Sequence, residues 1–215
     1  MREEFQAELQ EISDLLVSMA EAARIALRRA TGALLKADRE AGELVLVSDA
    51  EIDALYRTVE EKVSDLLARQ APVASDLRMA ITALHVASGL ERMGDLADHV
   101  AKTALRRHPS PAAPAELRDV FDEMAQVADR MIAKVIEVLR TPNAETAAEL
   151  DGDDDAMDDL HSKLFRILLG KDWPYGAETA IDGALLGRFY ERYADHAVNA
   201  GRRVVYHVTG VNPAG

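Results

Sequence analysis

Four pairs of carboxylates offer the chemistry in this sequence: Asp49 with Asp53, Glu91 with Asp95, Asp154 with Asp158, and Glu191 with Asp195. Each pair is spaced i, i+4, so both acids share one helix face, one turn apart. Two like charges so placed destabilise a helix by roughly 0.2–0.5 kcal/mol. A cation held between them reverses the sign. Leu84, Glu91 and Asp98 recur at sevens, and so do Ala184, Glu191 and Val198. The acids therefore border an apolar seam, where an unpaired charge is costly. Compensation comes from arginines (Arg92, Arg192, Arg202 or Arg203), from water, or from metal ions.

The metal reading gathers Asp49, Asp53, Glu91 and Asp95 into one site, with Asp98 or His99 as further ligands. It gathers Asp154, Asp158, Glu191 and Asp195 into a second, with His196 or Asn199. His161, three residues after Asp158, is another candidate nitrogen. There is no cysteine. Thiolate sites and disulfides are thereby excluded, and oxygen and imidazole donors suit iron, manganese, zinc or magnesium. The run Asp151-Gly152-Asp153-Asp154-Asp155 fails as a calcium loop: Ala156 stands where glycine is required and Ser162 where a bidentate glutamate is. It reads as a solvated helix turn. No serine elbow and no phosphate-cradling glycine loop is present.

Helices must position these acids. Leu9, Ile12, Leu16, Met19, Ala23, Ala26 and Ala30 recur at threes and fours in a first helix over 3–37. Val45, Ile52, Val59 and Leu66 fall seven apart in a second over 41–70. Ala71-Pro72-Val73 breaks it. Ser75 or Asp76 is the expected N-cap of a third helix running to 107. Three further helices follow over 115–140, 144–169 and 177–208, with Trp173-Pro174-Tyr175 as a loop anchor and Gly210 and Pro213 at the end. The segment 108–114 holds three prolines and is the linker. The expected fold is all-α: six helices in two tandem three-helix bundles, 1–108 and 115–215, joined by 109–114.

The halves repeat. Ala80-Ile81, Glu91-Arg92 and Asp95 match Ala180-Ile181, Glu191-Arg192 and Asp195 at one constant offset. Asp49, Asp53 and Leu55 match Asp154, Asp158 and Leu160 at a slightly larger one. Such self-similarity marks a duplicated helical unit.

The formal net charge is −13, so phosphate backbones are repelled and nucleic acid is excluded as a partner; basic protein surfaces and cations are favoured. No apolar stretch approaches the ~20 residues that span a bilayer, and the acidic start lacks a signal peptide's apolar core. A cytoplasmic protein is expected, reaching membranes only through partners.

The stretches Leu90-Glu91-Arg92-Met93-Gly94-Asp95 and Glu191-Arg192-Tyr193-Ala194-Asp195-His196-Ala197-Val198-Asn199, with the Gly201-Arg202-Arg203-Val204 ending, resemble the PhoU family of phosphate-transport regulators. The resemblance covers essentially the whole chain. It implies a non-enzymatic negative regulator of phosphate uptake and of the starvation response. It implies partners in the ATPase subunit of the phosphate ABC transporter and in a sensor histidine kinase, and a homodimer. It also implies multinuclear metal clusters on E/D-x-x-x-D motifs, which fall here on the four acid pairs. The first half departs from the fuller pattern: Leu96 and His99 stand where the second half has His196 and Asn199. Ala194 replaces a common glycine. The competing reading is a carboxylate-bridged di-iron oxidoreductase on a helical bundle, which needs Glu-x-x-His motifs that this sequence lacks.

Overall fold

The apolar stripe of the first helix is the spine of the molecule. Leu9, Ile12, Leu16, Met19, Ala23, Ala26 and Ala30 are all buried. The computed structural model describes residues 2–70 and 72–211; of the expected Ala71-Pro72-Val73 break, Pro72 and Val73 are non-helical and Ala71 lies outside the described residues, as does the terminal Pro213. Among the described residues there are six helices and no strand: α1 (Arg2–Lys36), α2 (Arg39–Gln70), α3 (Ser75–Arg107), α4 (Ala115–Arg140), α5 (Ala144–Leu168) and α6 (Gly176–Thr209).

Local signals set the ends. Asp38 Oδ1 accepts from the Ala41 N–H at 3.0 Å, so α2 begins two residues before the position that periodicity suggests. Asn143 caps α5 by accepting from the Glu145 and Thr146 N–H groups. Gly210 closes α6 in the left-handed conformation, φ 72°. The expected cap of α3 differs. Ala74 occupies the N-cap position without a side-chain hydrogen bond, and Ser75 is already helical. Trp173 does anchor its loop, donating to the Gly176 carbonyl at 2.9 Å and packing edge-on against Tyr175.

α1, α2 and α3 pack on one another, and so do α4, α5 and α6. The two bundles meet through α1 on α4 and α3 on α6. α3 and α6 run antiparallel: Arg106 and Arg107 at the end of α3 hold the buried Asp182 near the start of α6, at 2.6 and 2.5 Å. One apolar core runs through both bundles, with Tyr190 and Tyr193 of α6 fully buried at the junction. Tyr190 Oη lies 2.7 Å from Thr31 Oγ1 on α1, and Arg24 and Arg28 of α1 both grip Asp129 of α4.

Close approach of α5 to α6 depends on missing side chains. A Cβ at Gly201 would stand 2.5 Å from Leu150 Cδ1 and 3.0 Å from the Ala147 carbonyl oxygen. Backbone cannot yield as a flexible methyl can, so Gly201→Val should lower unfolding stability by about 1–3 kcal/mol. The denaturant midpoint would read it; an unchanged midpoint would show that the helices separate without cost.

Candidate metal centres

The first acid cluster lies where α2 crosses α3. Gly94 permits the crossing: a Cβ there would meet Ile52 Cδ1 at 2.8 Å, and Asp49 Oδ1 lies 3.6 Å away. The Asp49 carboxylate is thereby drawn over α3. Burial pushes its pKa up, and Asp98, Asp53 and Asp95 push it further. Glu91 is raised by burial and then by Asp95, with Asp53 and Asp49 adding to the effect. Five acids from two helices thus share one field. Asp98 is the buried member and pairs with Lys102 Nζ at 2.5 Å.

The second cluster repeats this between α5 and α6. Asp154 is pushed up to about 6, first by burial and then by Asp195, Asp158 and Glu191. Glu191 rises through burial and Asp195, opposed by Arg188 and His161. Like charges and desolvation act together on acids that each have a neighbour of the same sign.

Arginine pairing is present and partial. Arg92 Nη1 reaches Asp95 at 3.0 Å and its Nε reaches Glu91 at 3.5 Å, while its own side chain is 59% exposed. In the second cluster the pairing arginine is Arg188, on Glu191, rather than Arg192. Arg202 pairs with Asp151 at 2.9 Å. Spacing did not single out Arg188, although i, i+3 to Glu191 is a helix neighbour. These cations leave net negative charge on both clusters, which adds to burial in raising the carboxylate pKa values.

The auxiliary candidates divide. Asp98 faces Asp49 and belongs to the first cluster. His99 Nδ1 lies 2.7 Å from the Asp95 carbonyl oxygen, and its ring packs edge-on to Phe189. Asn199 donates to the Asp195 carbonyl at 2.9 Å. His196 lines a groove between α3 and α6. His161, by contrast, is placed at the second cluster: its Nε2 is buried without a hydrogen-bond partner, beside the close contact with Gly187 and within the field of Glu191. The matching position in the first half is Tyr56, which donates to Glu60 at 2.6 Å.

Among the described residues, no three acidic or histidine side chains already stand at coordinating distance from one point. The donor set nonetheless suits a hard or borderline cation: partly buried carboxylates that repel one another, and in the second cluster an orphaned imidazole nitrogen. Asp49, Asp53, Glu91 and Asp95 would hold it in one bundle, and Asp154, Asp158, Glu191 and Asp195, with His161, in the other.

Comparison with known proteins agrees with the duplicated architecture. A family model described as the PhoU domain matches twice, at residues 16–104 and 121–204. The chain is 45% identical over 213 residues to the phosphate-specific transport system accessory protein PhoU homolog 2 of Mycobacterium tuberculosis, covering 99% of this chain and 100% of that protein. It is 34% identical to the PhoU homolog of Synechocystis over 75% of this chain and 72% of the relative. The crystal structure of PhoU from Pseudomonas aeruginosa superposes with a TM-score of 0.87 at 26% identity, covering 96% of this chain and 100% of that one.

Proposed function

The chain belongs to the PhoU family, and from that premise we propose that it is a negative regulator of phosphate uptake and of the phosphate-starvation response. The observation that carries this reading is the full-length match, with two PhoU domains, to relatives named as accessory proteins of the phosphate-specific transport system. On this reading the protein is not an enzyme. It works by contact, as a cytoplasmic homodimer docking on the ATPase subunit of the transporter and on a sensor histidine kinase. The two repeats, 1–108 and 115–215, act as one unit across the linker 109–114. No helix among the described residues is long and apolar enough to cross a membrane, which is in keeping with docking through partners. A net charge of −13 favours basic partner surfaces and speeds encounter with them. The names of the relatives favour this reading over a di-iron oxidoreductase. Metal at the acid clusters would neutralise the bundle faces and fix α2 on α3 and α5 on α6, setting the shape that partners meet.

The test is a deletion in the source organism, cleared of any second copy. Phosphate uptake and a starvation-gene reporter should rise several-fold in phosphate-rich medium and return to repression when the gene is restored. Wild-type repression in the deletion strain would overturn the proposal.

A further inference from the structure

The internal repeat provides its own control for a groove that lies beside the acid clusters and shares Arg92 with the first of them. The groove lies between the antiparallel α3 and α6, encloses about 210 Å³, and presents His85, Ser88, Arg92, His196, Asn199 and Arg203. The repeat's offset maps each of these onto a counterpart on the other side of the pseudo-two-fold axis. There the groove is filled. Phe189 occupies the place of Gly89, and its ring lies edge-on to His99 with centroids 5.2 Å apart. Leu185, Leu96 and Thr103 replace His85, His196 and Arg203. At Gly89 itself the nearest contact for an added Cβ is His196 Nδ1 at 3.9 Å, so the opening is an absence of bulk rather than a close helix approach. Cationic and polar residues stand on both sides, since Arg188, Arg192 and His99 match Ser88, Arg92 and Asn199. The asymmetry is one of bulk, with an opening at Gly89 where Phe189 fills the other side, and of His85, His196 and Arg203, which have no polar counterpart of like charge.

The charges in this groove are incompletely matched. Among the described residues no carboxylate pairs with Arg203. Arg92 is shared with Glu91 and Asp95. Asp195 is the acid that acts on His196, against Arg192 and Arg92. Burial first, and then Arg203, keeps His85 below its ordinary value, so its ring is held neutral. Guanidinium forks, a hydroxyl, an amide and imidazole N–H groups form a donor set for a compact tetrahedral oxyanion.

We propose that the α3–α6 groove binds a phosphate-type dianion, held by Arg203 and Arg92, with Ser88, Asn199 and the two histidines completing its hydrogen bonds. The inference rests on the groove and its asymmetry, and it stands whether or not the acid clusters hold metal. The anion is either free inorganic phosphate or the head of a phosphomonoester.

The test is calorimetric titration of the full chain, treated with chelator so that no anion rides on a metal ion. Inorganic phosphate and phenyl phosphate are the two probes, and chloride at equal ionic strength is the control. One site per chain is expected. Arg203→Gln and Gly89→Phe, the latter copying the filled side of the repeat, should each weaken it at least tenfold. Thermal melting of both variants checks that the bundle is intact. Binding of phosphate assigns the free ion, and binding of phenyl phosphate alone assigns an ester; either supports the site if each variant weakens it at least tenfold. No binding of either probe, or binding that survives both substitutions, overturns it.

Discussion

Filling the carboxylate clusters with a divalent ion should raise the melting temperature of the full chain by about 5–10 °C for each site. The estimate follows from mass action. An ion present at 100 times its dissociation constant, binding the native state alone, stabilises by about 2.7 kcal/mol. A chain of this length gains about 2–4 °C per kcal/mol. Repulsion already present in the metal-free clusters supports so large an effect. Asp49, Glu91, Asp154 and Glu191 all have raised pKa values from burial and from neighbouring acids. An ion removes that repulsion in the same step in which it forms bonds. Because Asp154 titrates near 6, loading at pH 6 should also release protons, measurable by the buffer dependence of the binding enthalpy. Glu91→Gln with Asp95→Asn should lose about half the metal and leave the helical signal unchanged, since the second cluster is untouched. Melting indifferent to added manganese, iron, zinc and magnesium would instead favour arginine pairing by Arg92 and Arg188.

Long-period patterns transferred from sequence to structure with little loss. Val45, Ile52, Val59 and Leu66 recur at sevens and are all buried, because a helix of about nine turns averages over local exceptions. The acid pairs were legible for the same reason, since i, i+4 spacing fixes a shared face before any tertiary contact forms. Features that depend on what lies opposite were not. Nothing near His161 in sequence says that its Nε2 is sealed against α6; the contact depends on Gly187, which is distant in the chain. His99 and Asn199 were equally plausible ligands by spacing, yet both turn back to the Asp95 and Asp195 carbonyls, a local alternative open to such polar side chains in a helix. The cap of α3 was missed because Ala74 takes a left-handed φ of 51°, which its residue type does not announce. The α3–α6 groove lay within the repeat itself, at Gly89 against Phe189, and gained meaning once the antiparallel pairing of the two helices placed both sides.

A single substitution should act with opposite sign on the metal-free and metal-loaded protein. Asp154→Asn removes a charge that its surroundings oppose, since burial first, and then Asp195, Asp158 and Glu191, raise its carboxyl to about 6. A carboxyl whose folded pKa exceeds its unfolded value of about 3.9 favours folding when protonated and opposes it when ionised. Its penalty is therefore absent below pH 4, grows as pH rises towards 6, and is complete above that. Discounted for its partial exposure to solvent, the penalty is about 1–2 kcal/mol. In chelator at pH 7.5, Asp154→Asn should thus be more stable than the wild type by about that amount, and the two denaturation curves should converge by about pH 4. The difference between the two proteins is the informative quantity. His85, His196 and His207 have lowered pKa values and lose stability as pH falls, but they do so equally in both chains. With metal present the order should invert, because the amide is a poorer, uncharged ligand and the second site loses its ion. Greater stability of the wild type in chelator at pH 7.5 would mean that Arg202 favours the Asp154 charge by more than burial and the other acids oppose it, and the charge argument for the second centre would then fail.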